Sequence, residues 1–174
     1  MKNIVLTGFM GTGKTTVGRL LAERLGFGFV DTDELIVWRD GRTIPDIFAQ
    51  EGEAYFRQLE TAVALELAAQ SNLVIATGGR LMLDEVNARA LERHGRVFCL
   101  TATPDAILAR VQNEGRRPLL HVPDPAAQIE RLLAERREGY GRYPQIETTG
   151  KTAETVVEEI KMMIREEREG YEGA

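Results

Sequence analysis

The chain has 174 residues, 43% hydrophobic and 28% charged, which is ordinary for a globular protein of one domain. Its formal net charge of −5 at pH 7 argues against broad nucleic-acid binding, which needs a basic face. No segment has the apolar length of a membrane span, and the N-terminus lacks the pattern of a secretory signal. The single cysteine, Cys99, excludes an internal disulfide and favours a reducing, cytoplasmic location.

The first predicted strand, Asn3–Thr7, leads into a glycine-rich loop and then into an amphipathic helix pattern. The loop reads Gly8, four residues, Gly13, Lys14 and Thr15, which is a full Walker A motif. Such a loop wraps phosphate with backbone N–H groups at a helix N-terminus. The motif predicts a bound nucleoside triphosphate, with Lys14 at the β- and γ-phosphates and the Thr15 hydroxyl on Mg²⁺. The predicted nucleotide-binding residues of this loop are Gly11, Thr12, Gly13, Lys14, Thr15 and Thr16.

The second predicted strand, Phe27–Asp31, ends in two alternating aspartates, Asp31 and Asp33, that lean the same way on an extended chain. Open α/β sheets bind their ligands at this end of the strands. One carboxylate could support Mg²⁺ through water, and the other could orient or deprotonate an attacking hydroxyl. The alternative is that one aspartate simply caps the next helix.

Residues 33–60 are predicted to form a mainly helical insertion, in which Trp38 belongs to an apolar stripe that favours packing. The third predicted strand, Leu73–Thr77, ends without the aspartate of a Walker B motif, which argues against motor and transporter ATPases. A guanine-recognition motif is also absent from the sequence, so a GTPase is disfavoured.

The second half continues the alternation of strands and helices. A strand is predicted at Arg96–Thr101 and a weaker one near Ile146, and Thr103 and Asp124 precede prolines as helix N-caps. Together the elements predict a parallel sheet with helices on both faces. We expect a single domain over residues 1–165, with a loop at 114–123 and a flexible acidic tail at 166–174.

The segment that follows the second strand resembles the substrate-binding segment of shikimate kinases. It reads "DTDELIVWRDGRTIPDIFAQEGEAYFRQLE", and the similarity extends from the Walker A motif to about residue 165. Downstream it includes "ATGG" at 76–79, "RRPLL" at 116–120 and the pair Arg136 and Tyr140. The matching positions in the segment are Gly41, Arg42, Ile44, Ile47, Phe48, Gly52, Glu53, Phe56, Arg57 and Glu60.

The resemblance implies a three-layer α/β P-loop NTPase fold with about five parallel strands, similar to nucleoside monophosphate kinases. Residues 33–60 would be the substrate-binding insertion, which moves toward the phosphate loop when acceptor binds, and 114–123 a lid that closes. The implied reaction is Mg²⁺-dependent transfer of the γ-phosphoryl group of ATP to the 3-hydroxyl of shikimate, a step of aromatic amino-acid biosynthesis. We expect a monomer that acts on a small molecule.

The resemblance also implies a role for individual residues. Asp33 would lie against the substrate hydroxyls, and Asp31 would support Mg²⁺ through water. Arg57 and Arg136 would hold the substrate carboxylate, for which the planar guanidinium is a suitable bidentate donor. The remaining implied residues are Arg117 on the transferring phosphates, Arg110 against the adenine, and Gly78 and Gly79 at the substrate.

The chain departs from the family pattern at Arg80, where shikimate kinases usually carry a third glycine. Three hypotheses follow: Arg80 keeps an ordinary backbone and points away, enters the pocket as an extra donor, or blocks the acceptor site. Two rival functions accordingly stay open at this point. One is a gluconate- or nucleotide-type kinase on the same fold, and the other is a non-catalytic nucleotide-binding protein.

Overall fold

The computed structural model describes residues 2–114 and 122–172, with the backbone alone at 113–114 and 167–172. Its centre is a five-stranded sheet, and every strand runs parallel to its neighbours in the order β2-β3-β1-β4-β5. The strands are β1 (Asn3–Thr7), β2 (Gly28–Asp31), β3 (Leu73–Ala76), β4 (Gly95–Thr101) and β5 (Gln145–Glu147). The helices are α1 (Lys14–Leu25), α2 (Thr32–Asp40), α3 (Ile44–Glu51), α4 (Glu53–Ala68), α5 (Glu85–His94), α6 (Pro104–Glu114), α7 (Pro125–Gly141) and α8 (Ala153–Glu172), and a short 3-10 helix spans Leu81–Leu83.

Both faces of the sheet are covered, as the near-continuous apolar strands predict. Along β1, Ile4 and Leu6 point into one hydrophobic cluster, while Val5 points into the other. The first cluster is closed by α1 and α8, and the second by the helices that follow β2, β3 and β4. The result is the three-layer arrangement that was expected, with the sheet buried in the middle.

The predicted strands agree with the observed ones within one residue at each end, and the weak strand near Ile146 is β5. The predicted caps are also confirmed. The Thr103 hydroxyl accepts a hydrogen bond from the backbone N–H of Ala106, and the Asp124 carboxylate accepts one from that of Ala127. Residues 33–60 are helical, as expected, since they span most of α2, all of α3 and the first half of α4.

The prediction that Trp38 packs against the core is wrong, because its side chain is 79% exposed. The buried face of α2 is formed by Thr32 and Ile36, which lie four residues apart on one side of the helix. Trp38 follows Ile36 by two residues, about 200° around the helix axis, and therefore faces outward.

The carboxyl ends of the central strands bring distant segments together. Because β3 lies between β2 and β1, the turn after Ala76 stands between Asp31 and the loop that begins at Gly8. Ligands of open parallel sheets bind at such an edge. Among the residues that the structure describes, no helix is long and apolar enough to cross a lipid bilayer.

Candidate active site

The loop between β1 and α1 closes around its own lysine. Gly13 precedes the helix in a left-handed conformation, and no side chain caps the first turn of α1. The Lys14 ammonium donates hydrogen bonds to the backbone carbonyls of Gly8 at 2.9 Å and Phe9 at 2.8 Å. The helix therefore presents its N–H groups and its positive dipole end to the loop, which makes an anion site.

Gly8 is required by geometry at the start of this loop. Its φ is +133°, and a Cβ placed on it would lie 2.2 Å from the backbone oxygen of Leu100. Since that oxygen belongs to the neighbouring strand β4, it has no room to move aside. A side chain at this position would displace the phosphate loop from the sheet.

The two carboxylate oxygens of Asp31 have different partners, and one of them makes the helix cap that the sequence offered as an alternative to a metal role. One carboxylate oxygen accepts hydrogen bonds from the backbone N–H groups of Asp33 and Glu34 and so caps α2. The other accepts a hydrogen bond from the Thr15 hydroxyl at 2.7 Å. A hydroxyl and a carboxylate oxygen side by side are hard donors of the kind that Mg²⁺ prefers, so these residues fit the ion.

A cavity of about 380 Å³ opens beside the phosphate loop. Arg110 forms part of its wall and is held there by hydrogen bonds to the Gly11 carbonyl at 3.0 Å and to the hydroxyl and carbonyl of Thr148. The cavity has a mixed polar and apolar lining, and together with its place beside the loop this suits the rest of a nucleotide. It is lined by Gly11, Thr12, Gly13, Thr16, Val17, Arg110, Thr148, Lys151, Thr152, Ala153 and Val156.

On the other side of the loop, two carboxylates approach the turn after β3. A Cβ on Gly78 would lie 2.6 Å from an Asp33 carboxylate oxygen and 3.1 Å from one of Glu60. The glycine is therefore needed here for close approach. Its backbone N–H donates to the buried hydroxyl of Thr32 at 2.9 Å, which fixes the turn to the start of α2.

Arg57 lies on α4 between two carboxylates of the same helix. It donates to Glu60 at 2.6 Å through one terminal nitrogen, and to Glu53 at 3.2 and 2.9 Å through its other edge. Its guanidinium also lies 5.4 Å from the ring of Phe56. Glu60 is only 2% exposed, and this burial raises the pKa of its carboxyl, although the neighbouring Arg57 opposes the shift.

Arg136 reaches the same region from α7. Its side chain is buried, and its guanidinium lies 5.2 Å from the ring of Phe9 in the phosphate loop. One of its nitrogens is 3.5 Å from the hydroxyl of Tyr140, which itself donates to the Gly79 carbonyl. Burial also raises the pKa of the Tyr140 hydroxyl. Arg136 thus links the turn after β3 to the phosphate loop.

Arg80 keeps an ordinary backbone, with φ −110°, and does not adopt the left-handed conformation open to glycine. Its side chain is 53% exposed and lies 3.3 Å from Glu53, the carboxylate that also pairs with Arg57. Backbone strain at this position is therefore absent. The side chain stands at the rim of the cluster formed by Arg57, Glu53 and Glu60, rather than on a remote surface.

The structure brings together all but one of the predicted site residues. Arg117 lies outside the described residues, as does most of the expected lid at 114–123. Glu60 and Glu53 match the family pattern, but the sequence led to no predicted role for either residue. Their spacing of three and four residues from Arg57 on one helix was the signal that could have assigned them as its partners.

A Walker A loop at the carboxyl edge of a five-stranded parallel sheet, beside a separate pocket of acids and arginines, is typical of an ATP-dependent kinase of the P-loop type. The family model for shikimate kinase matches residues 10–165. The chain belongs to the shikimate kinase family.

Relatives of known name support this assignment along nearly the whole chain. The shikimate kinase of Symbiobacterium thermophilum is 48% identical over 171 residues, which is 96% of this chain and 98% of that protein. That of Caldanaerobacter subterraneus is 46% identical over 162 residues, 92% of this chain and 94% of that protein. The structure of shikimate kinase from Acinetobacter baumannii in complex with shikimate is similar at a TM-score of 0.91 and 40% identity, covering 96% and 94% of the two chains.

Proposed function

We propose that this enzyme transfers the γ-phosphoryl group of ATP to the 3-hydroxyl of shikimate, giving shikimate 3-phosphate and ADP. One observation carries the proposal beyond family membership. The cluster of Asp33, Arg57 and Arg136 lies at the turn after β3, immediately beside the phosphate loop. This combination suits a small acid with vicinal hydroxyls. The protein carboxylate accepts a hydrogen bond from a substrate hydroxyl, and the guanidinium groups bind the substrate carboxylate.

On the donor side, the phosphate loop and α1 hold the triphosphate. Backbone N–H groups of Gly11, Thr12 and Gly13 surround the phosphates, and Thr16 belongs to the same turn of helix. Lys14 exchanges its bonds to the loop carbonyls for bonds to the β- and γ-phosphates. Arg110, in the wall of the cavity, packs against the adenine.

Thr15 and Asp31 would hold Mg²⁺, Thr15 directly through its hydroxyl and Asp31 through a bound water. When bound, the ion supplies positive charge that neutralises the phosphates during transfer. The pair already lies at hydrogen-bond distance beside the first turn of α1. Asp31 therefore contributes to the donor site while it caps the helix that carries Asp33.

On the acceptor side, Arg57 and Arg136 bind the carboxylate of shikimate, and Gly78 and Gly79 let its ring approach the backbone. Asp33 accepts the proton of the 3-hydroxyl as that oxygen bonds to the γ-phosphorus. The bond from the γ-phosphorus to the bridging oxygen breaks, and ADP leaves with the bonding electrons. Positioning and charge neutralisation account for most of the acceleration.

A panel of acceptors tests the choice of substrate. Purified enzyme with ATP and Mg²⁺ is assayed by coupled ADP release with shikimate, gluconate and nucleoside monophosphates at equal concentration. The proposal predicts rapid release with shikimate and only background release with the others. Faster release with gluconate or a nucleotide would assign the chain to a related small-molecule kinase, and tight ATP binding without turnover would indicate a non-catalytic protein.

We further propose that the enzyme works as a monomer in the cytoplasm. A reducing compartment suits Cys99, which is a free thiol buried in β4, where burial raises its pKa to about 11. Sedimentation equilibrium at assay concentrations measures the state of association directly. A mass of one chain supports the proposal, and a dimer mass at the same concentration contradicts it.

A further inference from the structure

Glu53 lies between two arginines at the rim of the acceptor site. The same carboxylate oxygen, Oε1, is 2.9 Å from Nη2 of Arg57 and 3.3 Å from Nη1 of Arg80. The side chains of Glu53 and Arg80 are each about half exposed, at 54% and 53%, so both can change rotamer without disturbing the core. Interaction with Arg57 first, and with Arg80 second, lowers the pKa of Glu53, which stays ionised.

Arg57 has both usable edges of its guanidinium taken by protein carboxylates. One edge is bound to Glu60, which is buried, and the other to Glu53, which is exposed. A carboxylate acceptor that is to be held bidentately must displace one of the two. Glu53 is the one that can leave, because Glu60, if it were displaced from Arg57, would be a buried charge without a partner.

We propose that Arg80 is a positioning residue that takes over Glu53 when the carboxylate of the acceptor displaces Glu53 from Arg57. This inference rests on the proposed function. Arg80 already contacts the oxygen that must be released, so Glu53 keeps a cationic partner throughout the exchange. Without Arg80, the displaced carboxylate would face solvent close to the incoming carboxylate, and binding would be weaker.

The backbone at Arg80 suits this role. The residue directly precedes the 3-10 helix Leu81–Leu83, in which Leu81 and Met82 are fully buried. The α-carbon is therefore fixed, while the half-exposed side chain retains freedom to follow Glu53. A glycine at this position, as the family pattern has it, would supply neither the charge nor the reach.

A double-mutant cycle separates this role from direct contact with the acceptor. The dissociation constant of shikimate is measured by calorimetric titration for the parent, Arg80→Ala, Glu53→Gln and the double variant, and the KM for shikimate and ATP is measured alongside. We expect Arg80→Ala to weaken shikimate binding about three- to fivefold in the parent, and less than twofold in the Glu53→Gln background. The KM for ATP stays within about twofold in all four proteins.

Two further variants complete the design. Arg80→Lys keeps the charge and restores binding to within about twofold of the parent. Arg89→Ala, which removes a comparable exposed pair with Glu85 on α5, leaves shikimate binding unchanged. If Arg80→Ala weakens shikimate binding equally in both backgrounds, Arg80 contacts the acceptor directly and the inference is overturned. If it weakens binding in neither background, the inference is also overturned.

Failure of the proposed function has a different signature. If the parent neither binds nor phosphorylates shikimate, the proposed function fails, and the inference about Arg80 falls with it. If the parent turns over shikimate while the cycle shows no coupling between Arg80 and Glu53, only the inference about Arg80 fails.

Discussion

Among single residues, one buried carboxylate, that of Glu60, lies within the proposed acceptor site. Glu60 is held at 2.6 Å from Arg57 and adjoins Asp33 at the turn after β3. Burial of a carboxylate costs free energy unless it is paired, and here the charge of Arg57 offsets part of that cost. Glu60 thus orients the arginine that is proposed to bind the substrate carboxylate.

The raised pKa of Glu60 predicts a specific dependence of stability on pH. The carboxyl of Glu60 binds its proton more tightly in the folded protein than in the unfolded chain. Protonation of Glu60 therefore stabilises the fold fully below the ordinary pKa of glutamate, and this stabilisation is lost as pH rises through the raised pKa. The free energy of unfolding of Glu60→Gln, measured relative to that of the parent, should therefore increase as pH rises. Urea unfolding at a series of pH values measures the difference.

Glu66 on the same helix provides a control of opposite sign. Its exposed carboxyl has a lowered pKa because Arg39 donates hydrogen bonds to it, so its stabilisation is lost as pH falls. Glu66→Gln should lose free energy of unfolding relative to the parent as pH rises. Parallel pH profiles for the parent and Glu60→Gln would contradict the assignment of Glu60.

Arg57→Lys tests the carboxylate clamp without removing the positive charge beside Glu60. An ammonium lacks the bidentate fork, so we expect the KM for shikimate to rise about tenfold or more. The KM for ATP should remain within about twofold. Arg39→Lys, which alters a similar bidentate pair with Glu66 on the surface, should change neither constant. An equal rise in both constants would show that Arg57 does not contact the acceptor.

Lys14→Ala tests the phosphate loop in the same way. Loss of a charge aimed at the transferring group should lower kcat about a hundredfold or more. The far-ultraviolet circular dichroism spectrum should match that of the parent. Lys161→Ala on α8 serves as the matched control, because Lys161 forms an ion pair with Glu158 of its own helix. Unchanged turnover in Lys14→Ala would remove the basis for the donor site.

Among the elements, the junction of β2 and α2 is notable because Asp31 both caps α2 and carries the proposed metal role beside Thr15. Asn caps a helix about as well as Asp, whereas Ala costs about 1 kcal/mol at this position. Asp31→Asn should therefore keep the stability of the parent within about 0.5 kcal/mol, and Asp31→Ala should lose about 1 kcal/mol. Denaturant unfolding of the two variants measures this difference.

The same pair of variants separates the cap from the proposed metal role. Both should raise the Mg²⁺ concentration needed for half-maximal rate, since both remove the charge beside Thr15. A normal Mg²⁺ requirement in Asp31→Asn would show that Asp31 acts as a cap alone.

The elements themselves were largely predictable from the sequence. Strands buried on both faces read as continuous apolar runs, and the caps at Thr103 and Asp124 are local signals that need no tertiary context. Trp38 was mispredicted because it was assigned to the same apolar stripe as Ile36, although a separation of two residues turns the two side chains to different sides of the helix. The side of a short helix that faces the core is decided by packing.

The site was predictable only in part. The Walker A motif is local in sequence, so roles for Lys14 and Thr15 can be predicted from spacing alone, and these roles stay predictions. The partners of Arg57 and the place of Arg80 depend on how α4 meets the turn after β3, which the sequence does not encode locally. The dual bonding of Asp31 likewise appears only once α1 and β2 are placed side by side.

In the whole molecule, the strand order brings the parts of the candidate site together. Placing β3 between β2 and β1 brings three separate segments to one edge: the phosphate loop, the aspartates at the junction of β2 and α2, and the turn at Gly78. Helix α7 then adds Arg136 from above this edge, against Phe9. The proposed donor and acceptor groups, some more than a hundred residues apart in sequence, therefore lie at one edge of the sheet.

The products of the reaction show whether the phosphoryl group of ATP is transferred to shikimate. The enzyme is incubated with ATP, Mg²⁺ and shikimate, and phosphorus NMR with mass spectrometry identifies what forms. We expect shikimate 3-phosphate and ADP in equal amounts, with little inorganic phosphate. Formation of ADP and inorganic phosphate without a phosphorylated shikimate would show that shikimate is not the acceptor.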